Sequence, residues 1–344
     1  MKKVIKKLVL ITLYVLFGKS KHDGLRILTY HRITDKPDLD DPLKVSKSVF
    51  EKQIKYLTSH YTILSGDDLL NIIKLKKPFP NDACLITFDD GWKDNYTNAY
   101  PVLKKYNAPA IIFISTDFVG SNNIFWHEKL QELLKIPQYK SINNFDAALI
   151  KWPLEIRRNV QQILKHPVDK KQNLINELIS TLKRYEPETI NEFIVILSKT
   201  LRRTISEDAL MLSWSEIKEM YNNKIVFGSH TKSHAILTQV PSKKILSEVN
   251  ESKQIIEEML DCDVYFISYP NGNYDENVLR LVESSGYLAG FTCISGLNES
   301  FLNSLELRRK HIREDSSLGL FNKFSELSFK IDLSDVKKHI KYHL

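Results

Sequence analysis

The chain is 344 residues long, 42% hydrophobic and 26% charged, with a formal net charge of +7. This is ordinary globular composition, enough for one large domain or two small ones, with no internal repeat or low-complexity segment. Three scattered cysteines (Cys84, Cys262, Cys293) form no CxxC pair, which excludes a disulfide framework or a cysteine zinc site.

The charge is uneven. Residues 1–26 carry seven basic side chains against Asp23 alone, so the rest of the chain is close to neutral. A near-neutral body argues against a nucleic-acid-binding face. Between the lysine clusters lies the run LVLITLYVLF, Leu8–Phe17, too short for a comfortable transmembrane helix, which needs about 20 residues. Residues 1–22 therefore read as a membrane-surface anchor, as a signal peptide or uncleaved signal anchor, or as a first helix packed on the domain. The first two would place the protein at the cell envelope, membrane-associated or secreted.

The pattern then alternates. LRILTYH, Leu25–His31, reads as a strand, and the stretch after it as a helix, with Val49, Phe50, Ile54 and Leu57 at helical spacing. ACLITF, Ala83–Phe88, is a strand, Asp94–Tyr106 a helix and PAIIFIS a strand. From about 121 to 210 the strand signal gives way to charged helical segments broken at Pro137, Pro153, Pro167 and Pro187, a helical insertion. Alternation returns with helix SWSEIKEMYNN, strand KIVFGS, helix Ser242–Leu260, strand DVYFISYP, helix DENVLRLVESSG and strand YLAGFTC. LELRRKHI, Leu305–Ile312, reads as a last strand, followed by helices in LGLFNKFSELSFKI and LSDVKKHIKYHL. Strands alternating with helices imply a parallel α/β sheet, and about seven strand signals favour barrel-like closure. Sites in such folds form at the carboxyl ends of the strands.

Four polar clusters fall at such ends: TYH ending at His31, TFDD ending at Asp90, GSHTKSH at Gly228–His234 and SYPNG at Ser268–Gly272. His230 and His234 are four apart, which on a helical turn puts both imidazoles on one face. A carboxylate from another strand end completes a two-histidine, one-carboxylate site with open positions, the pattern of a catalytic metal. This explains why two aspartates stand side by side at Asp89 and Asp90. One can be a ligand, and the other can stay free as a general base toward a water whose pKa the metal lowers to about 7. Zinc, cobalt, nickel and manganese all accept this donor set.

TFDDG (Thr87–Gly91), Trp214, SHTKSH (Ser229–His234) and YPNG (Tyr269–Gly272), in this order, resemble the polysaccharide deacetylases, the NodB-homology or carbohydrate esterase 4 family. The early TYHRI is similar to the subgroup that acts on poly-N-acetylglucosamine-type exopolysaccharides. The resemblance implies a deformed (β/α)7-type barrel spanning 23–330, with its NodB-homology core at about 82–330, the helical insertion at about 121–210 and a C-terminal helical tail at 331–344. It implies a hydrolase of carbohydrate metabolism that removes N-acetyl groups from a cell-surface polysaccharide. Asp89 would be the base. Asp90, His230 and His234 would hold the metal, usually zinc. A backbone N–H near Asn271, in the Tyr269–Pro270–Asn271 motif, would meet the oxyanion. His31, as in the exopolysaccharide subgroup, or else His311, would be the acid.

The third motif departs from the family: Ser268 stands where many members carry an arginine that steadies the base. Arg308 or Arg309 is the candidate replacement. Trp92, after the aspartates, and Trp126 are candidates to line a sugar groove, with His127 and Tyr274 as further ones. Removal of O-acetyl groups at the same site, or a degenerate carbohydrate-binding or assembly role, are the alternatives.

Overall fold

A computed structural model describes residues 24–36, 41–137, 148–204, 210–300, 303–319 and 323–334, together with Thr12, Tyr14 and Leu39. The readings of the N-terminal segment and of the last helix fall almost wholly outside these residues. Among the described residues, no helix is long and apolar enough to cross a membrane. The chain divides into two compact units, 1–120 with 211–344, and 121–210.

The larger unit is a parallel sheet. Its strands are β1 (Arg26–Tyr30), β4 (Thr62–Ile63), β5 (Ala83–Phe88), β6 (Ala110–Ile114), β7 (Ile225–Ser229), β8 (Phe266–Ser268), β9 (Ala289–Phe291) and β10 (Lys310–His311). Short β2 (Arg32–Thr34) and β3 (Lys44–Ser46) pair separately. The order across the sheet is β10-β1-β5-β6-β7-β8-β9, with β4 added beside β5. β5 and β6 are buried at every residue, as central parallel strands covered on both faces should be. Around them lie α1 (Lys47–His60), α2 (Gly66–Lys74), α3 (Tyr100–Lys105), α8 (Trp214–Tyr221), α9 (Ser242–Leu260), α10 (Glu276–Ser284) and α11 (Glu326–Leu333), the last being the described part of the C-terminal helices. Ser65 with Asp68 and Ser213 with Glu216 make reciprocal capping boxes that start α2 and α8.

The last predicted strand is shorter than its pattern suggests. Only Lys310 and His311 form a strand, because the segment changes partner midway. Leu307 exchanges backbone hydrogen bonds with β9, donating to Gly290 O and accepting from Thr292 N, each at 2.8 Å. Three residues on, at Lys310, the chain pairs with β1, and Ile312 N donates to Thr29 O at 2.9 Å. One segment thus joins the two edges and curls the sheet into a deformed barrel. Registers Tyr30↔Phe88, Ile114↔Ser229 and Ser268↔Phe291 bring the carboxyl ends of the strands to one rim.

The smaller unit leaves after β6 and returns before α8. It contains α4 (Trp126–Leu134), α5 (Leu154–Lys165), α6 (Gln172–Leu182) and α7 (Pro187–Leu201). These helices bury a core of their own, including Leu134, Val160, Leu178, Phe193 and Leu197. Pro153 precedes α5 and Pro187 opens α7, positions where a missing N–H costs nothing.

Candidate active site

The site starts where β5 ends. Asp89 directly follows the strand, its N–H donating to Tyr30 O at 3.0 Å. Asp90 and Gly91 then both adopt left-handed φ, 77° and 74°. A Cβ at Gly91 would also come within 2.9 Å of Ile114 Cγ2, so glycine is required on both counts. The reversal turns the two carboxylates apart. The helix predicted over Asp94–Tyr106 follows in two parts, a π-helical turn at Asn95–Ala99 and then α3. The Asn95 amide of that turn donates to His31 O at 2.8 Å, fastening it to the end of β1.

Asp90 Oδ1 lies 3.5 Å from His230 Nε2 and 3.4 Å from His234 Nε2. Among the described residues these three make the one group able to hold a metal, their donor atoms all within 4.8 Å of one another. The histidines do not share a helical face as their spacing predicted. They sit on a loop after β7 in which Thr231 and His234 take φ of 64° and 60°. Buried Glu248 on α9 holds that loop, accepting from Ser233 N and Oγ at 2.7 Å each.

The donor set fits a divalent cation. His230 Nδ1 lies 2.7 Å from Ser268 O, a contact that requires a proton on Nδ1 and leaves Nε2 as a lone-pair donor toward Asp90. Burial opposes ionisation of His230 and of Asp90. Even so, Asp89 and Asp90 hold the imidazole above its usual range, and the two histidines hold Asp90 well below the usual carboxylate range. The cluster thus favours positive charge among its three donors, where a metal would take the proton's place.

Asp89 has a different neighbour. Arg309, fully buried, grips it with both terminal nitrogens, Nη1 to Oδ1 and Nη2 to Oδ2, each at 2.7 Å. The guanidinium is itself held by Thr292 O, Thr29 Oγ1 and Ser268 Oγ, at 2.9, 3.1 and 2.9 Å. Burial pushes the Asp89 carboxyl up, but the charge and hydrogen bonds of Arg309 prevail and hold it at about 2. The arginine absent at Ser268 is therefore supplied from the segment joining β9 to β10. A signal for it stood in LELRRKHI: Leu305, Leu307 and Arg309 share one parity and are all buried, whereas Arg308 has the other parity and is exposed.

His31 and His311 lie edge to face with ring centroids 5.2 Å apart, and His31 Nδ1 and His311 Nε2 are buried without a hydrogen-bond partner. Burial, then the charges of His31 and Arg313, lower the His311 pKa to about 3.

Several of the other candidates are buried or lie in the helical unit. Trp92 has no exposed surface to offer a sugar, and its Nε1 donates to Asp90 Oδ2 at 3.0 Å. The Arg32 side chain of β2 lies over the ring, which sequence spacing does not reveal. Tyr269 is also buried, its N–H on Phe291 O and its hydroxyl on Leu305 O, and Pro270 is buried beside it. Of that motif, Asn271 alone is exposed, at φ 59° in the turn after β8. Tyr274 stacks on Tyr269, centroids 5.5 Å apart. Trp126 and His127 belong to the helical unit, where Trp126 packs on the helical core and His127 stacks on Phe125. Tyr30 is a core residue hydrogen-bonded to Gln53.

The carboxyl rim of this parallel barrel thus brings together an Asp-His-His cluster that could hold a metal ion and a second aspartate clamped by an arginine. The family model described as polysaccharide deacetylase matches residues 76–290, and the chain belongs to that family of enzymes. The Bacillus subtilis protein YxkH is 26% identical over 310 residues, covering 89% of this chain and 78% of that protein. A poly-beta-1,6-N-acetyl-D-glucosamine N-deacetylase of Staphylococcus aureus is 38% identical over 118 residues, 30% of this chain and 40% of that protein. Among solved structures, IcaB from Ammonifex degensii has a TM-score of 0.56 at 19% identity, covering 86% of this chain and 94% of that one. The deacetylase PplD of Streptococcus pyogenes has a TM-score of 0.55 at 19% identity, covering 86% of this chain and 95% of that one. At such identities the structural likeness establishes the fold.

Proposed function

We propose that this protein is a metal-dependent hydrolase that removes N-acetyl groups from a cell-surface or exopolysaccharide of the poly-N-acetylglucosamine type. The observation that carries the reading is the convergence of Asp90 Oδ1 with His230 and His234 Nε2, at 3.5 and 3.4 Å, beside an Asp89 clamped by Arg309. The named activity of the Staphylococcus aureus relative supports the substrate class.

Asp90, His230 and His234 would hold the cation, with zinc the first expectation and Co2+, Ni2+ or Mn2+ compatible with the same donors. Such a cation supplies Lewis acidity, which lowers the pKa of water and polarises a carbonyl. Asp89 accepts the proton of the attacking water. Arg309 keeps it ionised and aimed, at some cost in basicity. A backbone N–H of the Asn271 turn faces the developing oxyanion. His31 delivers a proton to the leaving amine as the C–N bond breaks. His311, neutral above a pKa of about 3, has no spare proton to give near neutral pH, which favours His31 for that role. Arg309 also weakens the case for a degenerate binding protein, since the base keeps its arginine despite Ser268.

The test is metal content together with acetate release from N-acetylglucosamine oligomers, for wild type and Asp89→Asn. Metal in both proteins and a loss of roughly 10²–10⁴-fold in acetate release from the variant is the expected result. Metal in both but acetate from neither would redirect the reading to O-acetylated sugars, the next substrate to assay. No metal in wild type would overturn the ligand assignment.

A further inference from the structure

We infer that Trp92 is a positioning residue of the metal centre: its indole N–H occupies Asp90 Oδ2, so that Oδ1 alone faces the two histidines. This rests on the reading of Asp90, His230 and His234 as metal ligands.

The two oxygens of Asp90 have different partners. Oδ1 lies 3.5 and 3.4 Å from the two imidazole Nε2 atoms, whereas Oδ2 accepts from Trp92 Nε1 at 3.0 Å. A carboxylate free on both oxygens can grip a cation with both. One that already accepts a strong N–H on one oxygen is held to the other, and coordination positions stay open for water and substrate. Partners of this kind orient a ligand and tune its basicity, and their loss typically costs about 10–100-fold in metal affinity.

The ring is fixed for this task. The left-handed pair Asp90–Gly91 folds the chain back so that residue 92 reaches the carboxylate two residues earlier. The Trp92 backbone forms an isolated antiparallel bridge with Met211, and Leu212 N donates to Gly91 O at 2.9 Å. The Arg32 guanidinium carbon lies 4.5 Å from the ring centroid, the geometry of a cation–π contact. Arg32 is anchored in turn by Asp94, Nε to Oδ2 at 2.9 Å, and Asp94 Oδ1 accepts Ile33 N at 3.1 Å. Asp94, Arg32, Trp92 and Asp90 thus form one line of contacts from β2 to the ligand. A buried indole needs some acceptor in any fold. An acceptor on the one carboxylate of a metal site, with the ring braced by an anchored arginine, is more than that need requires.

The experiment uses the full chain and has two readouts besides turnover. Zn2+ affinity is measured by competition with a chromophoric chelator, and the visible absorption of the Co2+-loaded protein reports coordination number. Trp92→Phe keeps an aromatic ring and deletes the N–H. It should weaken Zn2+ binding about 10–100-fold and reduce Co2+ absorption intensity, as Asp90 becomes free to bind through both oxygens. Arg32→Met, which keeps the N–H and removes the brace, should shift affinity in the same direction by a few-fold, and it carries the test if Trp92→Phe does not fold. A folded Trp92→Phe variant with wild-type Zn2+ affinity and Co2+ spectrum, whatever its melting temperature, would overturn the inference. Wild type that binds neither ion would overturn instead the reading beneath it.

Discussion

The two sides of the catalytic rim treat neighbouring aspartates in opposite ways. Asp90 faces two imidazoles 3.5 and 3.4 Å away, in a cluster that draws positive charge to itself. Asp89 is closed on both oxygens by Arg309 at 2.7 Å. One side gathers three groups that could share a cation, the other already contains one in the Arg309 guanidinium. The difference teaches that adjacency in sequence says little about chemical role once the backbone reverses. The left-handed φ of Asp90 and Gly91 separates the carboxylates, and each then takes its character from a different distant segment.

The sharpest way to break this comparison is on the cation-receiving side. His234→Ala removes a proposed ligand and should abolish tight Zn2+ binding, a loss beyond the 10–100-fold typical of an outer partner. Equilibrium dialysis checks it, and unchanged metal content would sink the assignment of that side. Next in size is the proposed proton donor, His31. His31→Gln should keep metal and lower acetate release by about 10²–10⁴-fold, whereas His311→Gln should have a much smaller effect on rate. Equal losses from the two variants would show that the histidines act as a unit.

Arg309→Met probes the other side directly. It leaves a buried carboxylate without its partner, and such a loss typically costs about 3–5 kcal/mol, readable by urea denaturation. The Asp89 pKa should rise from about 2, so the acid limb of kcat/KM should move to higher pH. An unmoved acid limb in a folded variant would mean that Arg309 does not govern the base. Arg309→Lys should fall between, because an ammonium cannot reproduce the two-point grip.

A separate effect concerns acid stability. His311 has a folded-state pKa of about 3, below the unfolded value of about 6.5, so the unfolded chain binds the extra proton between these limits. Stability should therefore fall as pH drops through that window, by up to about 1.4 kcal/mol per pH unit from this group. His311→Gln should flatten the decline, as followed by the denaturation midpoint between pH 6.5 and pH 4. An unchanged slope would mean that the ring gains solvent before the protein unfolds.

Much of this molecule was readable along the chain. Alternating apolar runs marked the parallel sheet, because strands buried on both faces must be apolar throughout, as β5 and β6 are. The DD pair at Asp89–Asp90, the histidines at His230 and His234 and the early His31 stood out because ionisable groups at strand ends are costly unless chemistry uses them. Three features needed the folded chain. The loop geometry of His230 and His234 depends on left-handed backbone at Thr231 and His234, which residue type does not announce. The hydrogen bond of Trp92 to Asp90 depends on a turn that brings the indole N–H to a carboxylate two residues back. The partnership of Arg309 with Asp89 spans 220 residues and arises only when the segment after β9 crosses to β1. Sequence by itself determined which residue types reach the rim, since burial and period act locally. Which of them meet was decided by the curl of the sheet, because contact between distant strands is a property of closure and not of any one segment.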